Sequence, residues 1–190
     1  MAVRIRLATA ADAAAIRAIY APHVEESAVS FETAVPSVAE VASRIGGTLR
    51  THPWLVAEDA GRVLGYAYAH GINPRAAYDW SVETSIYVRS DAQRRGVGRT
   101  LYGALFEALR AQGYRQAFAI IALPNPASVA LHEALGFRAV GRYEAVGWKL
   151  GRWHDVGWWQ RALTEDDSPP VELRGFEPLT SAMRTQRSTN

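Results

Sequence analysis

The chain has 190 residues, of which 48% are hydrophobic and 21% charged, enough for one globular domain with a sizeable core. A formal net charge of +2 gives no sign of a nucleic-acid-binding surface, and the absence of cysteine excludes disulfides, thiolate metal sites and a cysteine nucleophile. The sequence has no apolar run near the roughly 18 residues of a membrane span and no signal-peptide pattern. We therefore expect a cytoplasmic protein with neither membrane nor nucleic-acid partners.

The first half of the chain predicts two strand regions around two helices. "VRIRLA" alternates apolar and charged residues, as a half-buried strand does. Capping boxes at Thr9–Asp12 and Ser37–Glu40 predict the starts of two helices, the second running to about Leu49. "WLVAE" and "VLGYAYAHG" then read as strands joined by "DAGR" in a hairpin.

The second half predicts an alternation of strands and helices. "SVETSIYVR" reads as a strand, followed by a glycine turn and a helix, and "QAFAIIAL" reads as a strand at the centre of a sheet. In "PNPASVALHEALGF", Asn125 fits the N-cap of a helix, Pro126 its first turn and Gly136 its C-terminal end. Two aromatic-rich strands around a "KLGRWHD" turn complete the order β-α-α-β-β-β-α-β-α-β-β.

The character of the chain changes at Thr164. Residues 164–190 contain few large apolar side chains and no periodicity, which predicts a disordered tail after a domain of residues 1–163. The codons for its "GFEP" can resemble part of a tRNA gene on the opposite strand, which favours a reading frame that runs into a neighbouring gene. An ordinary mobile terminus is the alternative, and we assign the tail no function.

The glycine turn "QRRGVG", Gln93–Gly98, has the features of an anion-binding loop. Glycines let the main chain approach phosphates, and the following helix N-terminus offers free N–H groups and the positive end of its dipole. The dinucleotide-binding pattern needs a third glycine, and a P-loop needs Gly-Lys-Ser/Thr, so neither fits. A lone G-x-G could also be only a tight turn.

Together with the element order and the Asn-started helix ending "ALGF", this turn resembles the acetyl-CoA pyrophosphate loop of the GNAT N-acetyltransferase superfamily. The stretches "VSFET", "RAAYDWSVETSIYV" and "LPNPASVALHEALGF" are similar to the phosphinothricin (glufosinate) and methionine sulfoximine N-acetyltransferase branch, over residues 1 to about 163. The resemblance implies an α+β three-layer fold. Its central sheet is mixed, mostly antiparallel and flanked by helices, with a V-shaped splay between two central strands.

The resemblance also implies a function, direct transfer of the acetyl group of acetyl-CoA to the α-amine of a small amino-acid analogue. No metal is implied. The cofactor-binding residues it implies are Tyr87, Val88, Arg89, Arg94, Arg95, Gly96, Val97, Gly98, Arg99, Thr100, Asn125 and Ser128. A GNAT enzyme for a polyamine, an aminoglycoside or a protein N-terminus is an alternative, and so is a non-catalytic acyl-CoA sensor.

Two residues are the candidate catalytic groups. Glu83 lies inside a strand that leads into the glycine turn, and the resemblance makes it the general base that takes the proton of the substrate ammonium. The alternative is that Glu83 only faces solvent and has no catalytic role. His132 shares a helical face with Asn125 and Ser128, apart from an apolar stripe that includes Ala127. An imidazole of ordinary pKa could protonate the leaving thiolate or contact the substrate, and both roles are open.

The substrate-binding residues implied by the resemblance are Phe31, Arg75, Tyr78, Trp80 and Ser85. Arginine and tyrosine suit a carboxylate and a phosphinate or sulfoximine oxygen. Glu32 departs from the branch, in which some relatives have a basic residue there, and this puts the anionic contact in doubt. The aromatic residues Trp148, Trp153, His154, Trp158 and Trp159 are expected in the core and at an interface, and a homodimer is predicted.

Overall fold

The computed structural model describes residues 3–166 and 172–173. Within them, seven strands and four α-helices follow the predicted order: β1 Arg4–Leu7, α1 Ala13–Glu25, α2 Val38–Thr48, β2 Trp54–Asp59, β3 Arg62–Gly71, β4 Ser81–Val88, α3 Val97–Gln112, β5 Gln116–Leu123, α4 Pro126–Ala134, β6 Arg138–Lys149 and β7 Arg152–Ala162. None of the helices in these residues is both long and apolar enough to cross a membrane.

The strands form one mixed sheet in the order β1-β2-β3-β4-β5-β7-β6. Neighbouring strands are antiparallel except for β4 and β5, which are parallel and central. The apolar strand β5 has neighbours on both sides, as its sequence predicts. The predicted mixed, mostly antiparallel sheet is confirmed.

Helices cover both faces of the sheet, which makes three layers. Apolar side chains of α1 and α2, such as Ile16 and Ile45, pack with Trp54 and Tyr66 of the sheet on one face. On the other face α3 packs through Leu101, Tyr102, Leu105 and Leu109 in a second apolar cluster. The α+β three-layer prediction is therefore confirmed.

Both predicted capping boxes are present. The Ser37 N–H donates to Glu40 Oε2 at 2.6 Å, and the Glu40 N–H donates to Ser37 Oγ at 3.2 Å. The Thr9 N–H donates to Asp12 Oδ2 at 2.8 Å. At this first box the chain makes a short 3-10 turn, Ala10–Asp12, before α1 begins.

Asp12 links this helix start to the sheet. Its two carboxylate oxygens accept from Nη1 and Nη2 of Arg6 on β1, each at 2.7 Å. The Arg6 Nε also donates to Glu58 of β2 at 2.8 Å. The Arg6 guanidinium lowers the pKa of Asp12, and the hydrogen bonds from Thr9 act in the same direction against burial.

The turn between β6 and β7 is shorter than the sequence suggested. It consists of Leu150 and Gly151, with φ of +51° and +74°, and Trp153–Asp155 belong to β7. Two consecutive residues of positive φ are typical of a tight hairpin turn that follows the twist of its strands.

The predicted tail is described only in part. Residues 167–171 and 174–190, including "GFEP", lie outside the described residues, so disorder there stays a prediction. Leu173 packs against the apolar cluster on the α3 side of the sheet.

Candidate active site

The site is built around the place at which β4 and β5 separate. Their pairing ends at Glu83 and Phe118, although β4 continues to Val88 and β5 to Leu123. Thr84 Oγ1 donates to the Phe118 carbonyl at 3.0 Å just past the last pair. Beyond this fork the two strands present main-chain N–H and C=O groups to each other without pairing, which is the predicted V-shaped splay.

A groove of about 430 Å³ runs along the outer part of β4 to the start of α3. Nine of the twelve predicted cofactor-binding residues line it: Tyr87, Val88, Arg94, Gly96, Val97, Gly98, Arg99, Asn125 and Ser128. Its walls also include seven residues outside this predicted set: His23, Val29, Ile86, Ala92, Gln93, Ala127 and Leu131. The groove therefore joins the glycine turn to the N-terminal end of α4.

Three predicted cofactor residues lie beside the groove and not in its wall. Arg89 Nε donates to Asp91 Oδ1 at 3.0 Å, and Arg95 Nη1 donates to the Asp91 carbonyl at 3.4 Å. Thr100 Oγ1 donates to the Gly96 carbonyl at 3.1 Å within the first turn of α3. These contacts hold the turn in shape.

Glycine is needed at two positions of the turn, for a different structural reason at each. Gly96 is the N-cap of α3 with φ of +82°, a conformation that side chains with a Cβ rarely adopt. A Cβ at Gly98 would lie 3.2 Å from Leu131 Cδ2, so this glycine lets α3 approach α4. The first N–H groups of α3 and the side chains of Arg94 and Arg99 thus surround the groove with positive charge.

A smaller cavity of about 50 Å³ continues from the groove into the fork. It is lined on the β4 side by Thr84–Tyr87, on the β5 side by Ala119–Ala122, and from the helices by Tyr102, Asn125, Ser128 and His132. The face of α4 that carries His132 points inward. Of the predicted apolar stripe, Leu131 and Leu135 pack against the core cluster, whereas Ala127 and Ala134 are exposed. His132 is the buried side chain of α4.

Inside this cavity the Tyr102 hydroxyl lies 2.8 Å from His132 Nε2. His132 Nδ1 lies 2.7 Å from the Ser128 carbonyl, which can only accept, so Nδ1 carries the proton and Nε2 accepts from Tyr102. Burial lowers the pKa of His132, and the Ser128 hydrogen bond offsets this only in part. The ring is therefore neutral near pH 7, whereas the sequence alone predicted an ordinary pKa for His132.

Glu83 lies on the opposite side of β4 from this pair. Successive strand residues alternate in direction, and Thr84 is directed at Tyr102. Glu83 faces His70 of β3, with Oε1 3.8 Å from His70 Nε2. Burial raises the pKa of Glu83, and the His70 charge acts in the other direction. The carboxyl is thus a better proton acceptor near neutral pH than an exposed glutamate.

Ser85 and Tyr68 extend this second side of the site. Ser85, two residues after Glu83 on the same face, is hydrogen-bonded to the Tyr68 hydroxyl and also borders the small cavity. Further out, the Tyr20 hydroxyl lies 3.1 Å from Glu32 Oε1. Arg44 neutralises Glu32 through two hydrogen bonds of 2.6 and 3.2 Å.

Phe31 is fixed against the hairpin of β6 and β7. A Cβ at Gly147 would overlap this ring where it now lies, so a larger residue there would displace the ring. Lys149 Nζ donates to the Ser30 carbonyl at 2.5 Å and holds the same loop from the hairpin. The sequence did not indicate this lysine, because a lysine in a strand usually faces solvent.

The remaining predicted substrate residues lie in the segment before β4. Arg75 caps a short turn of Ala76–Tyr78, and the main-chain carbonyl of Trp80 accepts from the Arg115 N–H at 2.9 Å. Phe31, Arg75, Tyr78 and Trp80 all lie outside the walls of the groove and the small cavity. Among the described residues, no three His, Cys, Asp or Glu side chains are grouped as a metal site.

The comparisons with known proteins agree with this geometry. The family described as "Acetyltransferase (GNAT) domain" matches residues 5–158. A phosphinothricin N-acetyltransferase of Streptomyces viridochromogenes is 46% identical, over 94% of this chain and 95% of that protein. An L-methionine sulfoximine/L-methionine sulfone acetyltransferase of Pseudomonas paraeruginosa is 40% identical, over 90% of this chain and 100% of that protein.

Solved structures give the same result. A GNAT superfamily phosphinothricin acetyltransferase from Sinorhizobium meliloti, in complex with AcCoA, superimposes with a TM-score of 0.86 at 40% identity. The match covers 90% of this chain and 95% of that one. That related protein was solved as a complex with acetyl-CoA. The chain belongs to the GNAT family and is an acetyl-CoA-dependent N-acetyltransferase.

Proposed function

We propose that the protein transfers the acetyl group of acetyl-CoA to the α-amine of a small amino-acid analogue such as phosphinothricin, methionine sulfoximine or methionine sulfone. The names of the relatives support this substrate class. The observation that carries the proposal is the half-buried carboxyl of Glu83, next to the fork of β4 and β5 and across the strand from Tyr102 and His132. A donor thioester and an acceptor amine can then meet at the fork from opposite sides of the sheet.

The cofactor is held by the groove. The N–H groups of Gly96–Arg99 at the N-terminus of α3 and the side chains of Arg94 and Arg99 would hold the pyrophosphate. Main-chain groups of β4 beyond the fork would pair with the pantetheine arm, as with an added strand. Asn125 and Ser128 border this path. Arg89, Arg95 and Thr100 act by holding the turn through the contacts described above.

Glu83 acts as the general base. A substrate amine arrives mainly as ammonium and must lose a proton before its lone pair attacks the thioester carbonyl. Glu83 accepts this proton, and the raised pKa of its carboxyl suits the task. With no cysteine in the chain, direct attack in a ternary complex is the simplest route.

The leaving thiolate takes its proton on the other side of β4. The neutral His132 already accepts from Tyr102, so the proton available from this pair is that of the Tyr102 hydroxyl, which lines the cavity at the fork. We assign Tyr102 as the donor and His132 as the residue that orients it. The tyrosinate that remains then takes a proton from water through the groove, which restores the hydroxyl and its hydrogen bond to His132.

The acceptor is held on the α1–α2 side. Ser85 lies on the Glu83 face of β4, and Phe31, Arg75, Tyr78 and Trp80 come from the two loops that follow α1 and β3. Arg75 is the proposed partner of the substrate's anionic group, because Arg44 is already paired with Glu32.

We also propose that the enzyme acts as a homodimer in the cytoplasm. The hairpin of β6 and β7 exposes six large apolar side chains: Val140, Tyr143, Val146, Trp148, Leu150 and Trp153. Trp148 and Trp153 are 59% and 60% exposed, too much for the core. Light scattering should give twice the chain mass of 20.8 kDa, and Trp153→Arg should give the single chain. A parent that scatters as a single chain at micromolar concentration rules out the dimer.

The test of function is CoA release from acetyl-CoA. The chain contains no cysteine, so a thiol reagent reports only CoA. Phosphinothricin, methionine sulfoximine and methionine sulfone should each accelerate release, and Glu83→Gln should abolish most of it while the exposed Glu107→Gln does not. Cells that express the protein should also resist phosphinothricin. Faster release with a polyamine, an aminoglycoside or a peptide N-terminus would change the acceptor, and no acceleration by any amine would indicate a sensor.

A further inference from the structure

His70 on β3 lies directly opposite Glu83 on the neighbouring strand β4. The two residues are opposite each other in the antiparallel register of β3 and β4, so their side chains lie on the same face. His70 Nε2 lies 3.8 Å from Glu83 Oε1. The His70 side chain is 45% exposed and that of Glu83 is 22% exposed. The histidine is thus the more exposed member of the pair.

The hydrogen bonding of His70 determines which of its two ring nitrogens is unprotonated. Nδ1 lies 3.1 Å from the Gly71 carbonyl oxygen, which can only accept. Nδ1 therefore carries the proton of the neutral ring, and Nε2 is the unprotonated nitrogen. This is the arrangement in which Nε2 can accept a proton from a protonated Glu83.

The other titratable groups near the ring do not compete for this role. On β3 itself, the Tyr68 ring lies 6.1 Å from the His70 ring, and its hydroxyl is engaged with Ser85. From the turn before β2, His52 is near enough for the His70 charge to lower its pKa, and it stacks on Tyr114. Within the described residues, Glu83 is the acid that faces His70.

We propose that His70 receives the substrate proton from Glu83 and passes it to water, so that the base is regenerated in each turnover. This deepens the proposed function and rests on it. The substrate N–H bond breaks as an O–H bond forms on Glu83. That O–H bond then breaks as an N–H bond forms on His70 Nε2, and the imidazolium releases its proton to water. His70 acts through Glu83 and does not touch the substrate.

The environment of Glu83 makes such an exit useful. A carboxyl that binds its proton more tightly because it is buried also releases it to water less readily. The 3.8 Å separation exceeds a hydrogen bond, and a small movement of the half-exposed ring closes it. Once the ring is charged, it pairs with the carboxylate that it has just freed.

The contact can be tested without any acceptor. ¹⁵N NMR of the parent near pH 8 should show His70 with Nδ1 protonated and Nε2 unprotonated. Glu83→Gln should shift the Nε2 signal of His70 and leave the His52 signals in place. A His70 ring protonated on Nε2, or an Nε2 signal that does not respond to Glu83→Gln, overturns the proposal.

The kinetic test compares His70→Gln with the matched control His52→Gln, using an amine that the parent acetylates. His70→Gln should lower kcat by roughly tenfold near neutral pH, less than loss of the base itself because water replaces the ring in part. The KM values for both substrates should stay close to those of the parent, and His52→Gln should be unaffected. Added imidazole should restore kcat to His70→Ala, which a purely structural role does not predict.

The two failures can be distinguished. A parent that releases no CoA with any amine contradicts the proposed function, and the relay with it. A parent that turns over while His70→Gln keeps its full kcat, or while imidazole fails to rescue His70→Ala, contradicts the relay alone.

Discussion

The Tyr102 hydroxyl donates to His132 Nε2 over 2.8 Å, and the two residues lie on different helices, α3 and α4. The contact is fully buried, and Thr84 Oγ1 lies 3.5 Å from the same hydroxyl. A buried hydroxyl between a strand residue and a neutral imidazole is oriented without freedom to rotate. Tyr102 also lines the cavity in which β4 and β5 separate.

Tyr102→Phe removes this hydroxyl and keeps the ring, which stacks on Phe106. We expect kcat to fall roughly 10²-fold or more, with acetyl-CoA affinity little changed, because the proton donor is lost and the groove is not. Tyr114→Phe removes a tyrosine hydroxyl elsewhere and is the control. Steady-state kinetics decide the matter, and equal kcat for the two variants would remove Tyr102 from the mechanism.

Glu83→Gln keeps the shape of the side chain and removes its basic site. We expect a loss of roughly 10²–10⁴-fold in kcat near neutral pH, which shrinks at high pH as free amine becomes plentiful. Since burial raises the pKa of Glu83, the rise of the parental rate with pH should be centred above the roughly 4.3 of an ordinary glutamate. Rate profiles of both proteins test this, and an equal loss at every pH with collapsed cofactor affinity would make Glu83 structural.

Features that depend on residues close together in the sequence could be predicted, and features that depend on residues far apart in the sequence could not. The capping box at Ser37 and the glycine turn at Gly96 are local, and both are present as predicted. Tyr102 lies among the apolar positions of α3, so it could not be told from a core residue without its partner 30 positions away. His70 could not be assigned either, because its neighbour depends on the register of two strands.

The burial of His132 on α4 could not be predicted from the sequence for a related reason. Helical periodicity predicts that apolar residues are buried, yet Ala127 and Ala134 are exposed and His132 is enclosed. The helix covers a polar cavity, and a polar side chain can be buried there when all its polar atoms are hydrogen-bonded. Tyr102 and Ser128 satisfy both ring nitrogens of His132.

Gly98→Val should weaken acetyl-CoA binding. The added Cβ alone would lie 3.2 Å from Leu131 and 3.6 Å from Ile86, two side chains that line the groove. Overpacking of this kind costs about 1–3 kcal/mol, so the Kd should rise by roughly 5- to 150-fold if acetyl-CoA binding has to overcome it. Gly103→Ala on the same helix meets nothing within 4 Å and is the control. Calorimetric titration measures both, and unchanged affinity in a folded Gly98→Val protein would contradict the loop assignment.

Gly147→Ala should act on the acceptor and not on the cofactor. Its Cβ would overlap the Phe31 ring and displace it, whereas Gly141→Ala in the same strand meets nothing within 4 Å. We expect a higher KM for the amine, with acetyl-CoA affinity close to that of the parent. If both alanine variants have parental KM values, Phe31 does not contact the acceptor.

Asp12→Asn should lower the free energy of unfolding by about 1–3 kcal/mol at neutral pH, because Arg6 loses its charged partner. The pKa of Asp12 is depressed in the folded state, so its contribution is present above the unfolded value of 3.8 and is lost as pH falls through the folded value. Urea unfolding of both proteins at pH 7 and near pH 2 should show a gap that closes in acid. A gap that persists in acid would point to packing and not to charge.

The facing edges of β4 and β5 beyond the fork consist of main-chain amides and carbonyls, which nearly all amino acids supply alike. A ligand held along Thr84–Val88 is therefore insensitive to most replacements there, provided that the strands keep their course. Acceptor contacts from the loops of Phe31 and Arg75 depend on side chains and change with single substitutions. Binding of the acetyl donor can accordingly be conserved while the sequence diverges, whereas a few substitutions in the loops are enough to change the acceptor.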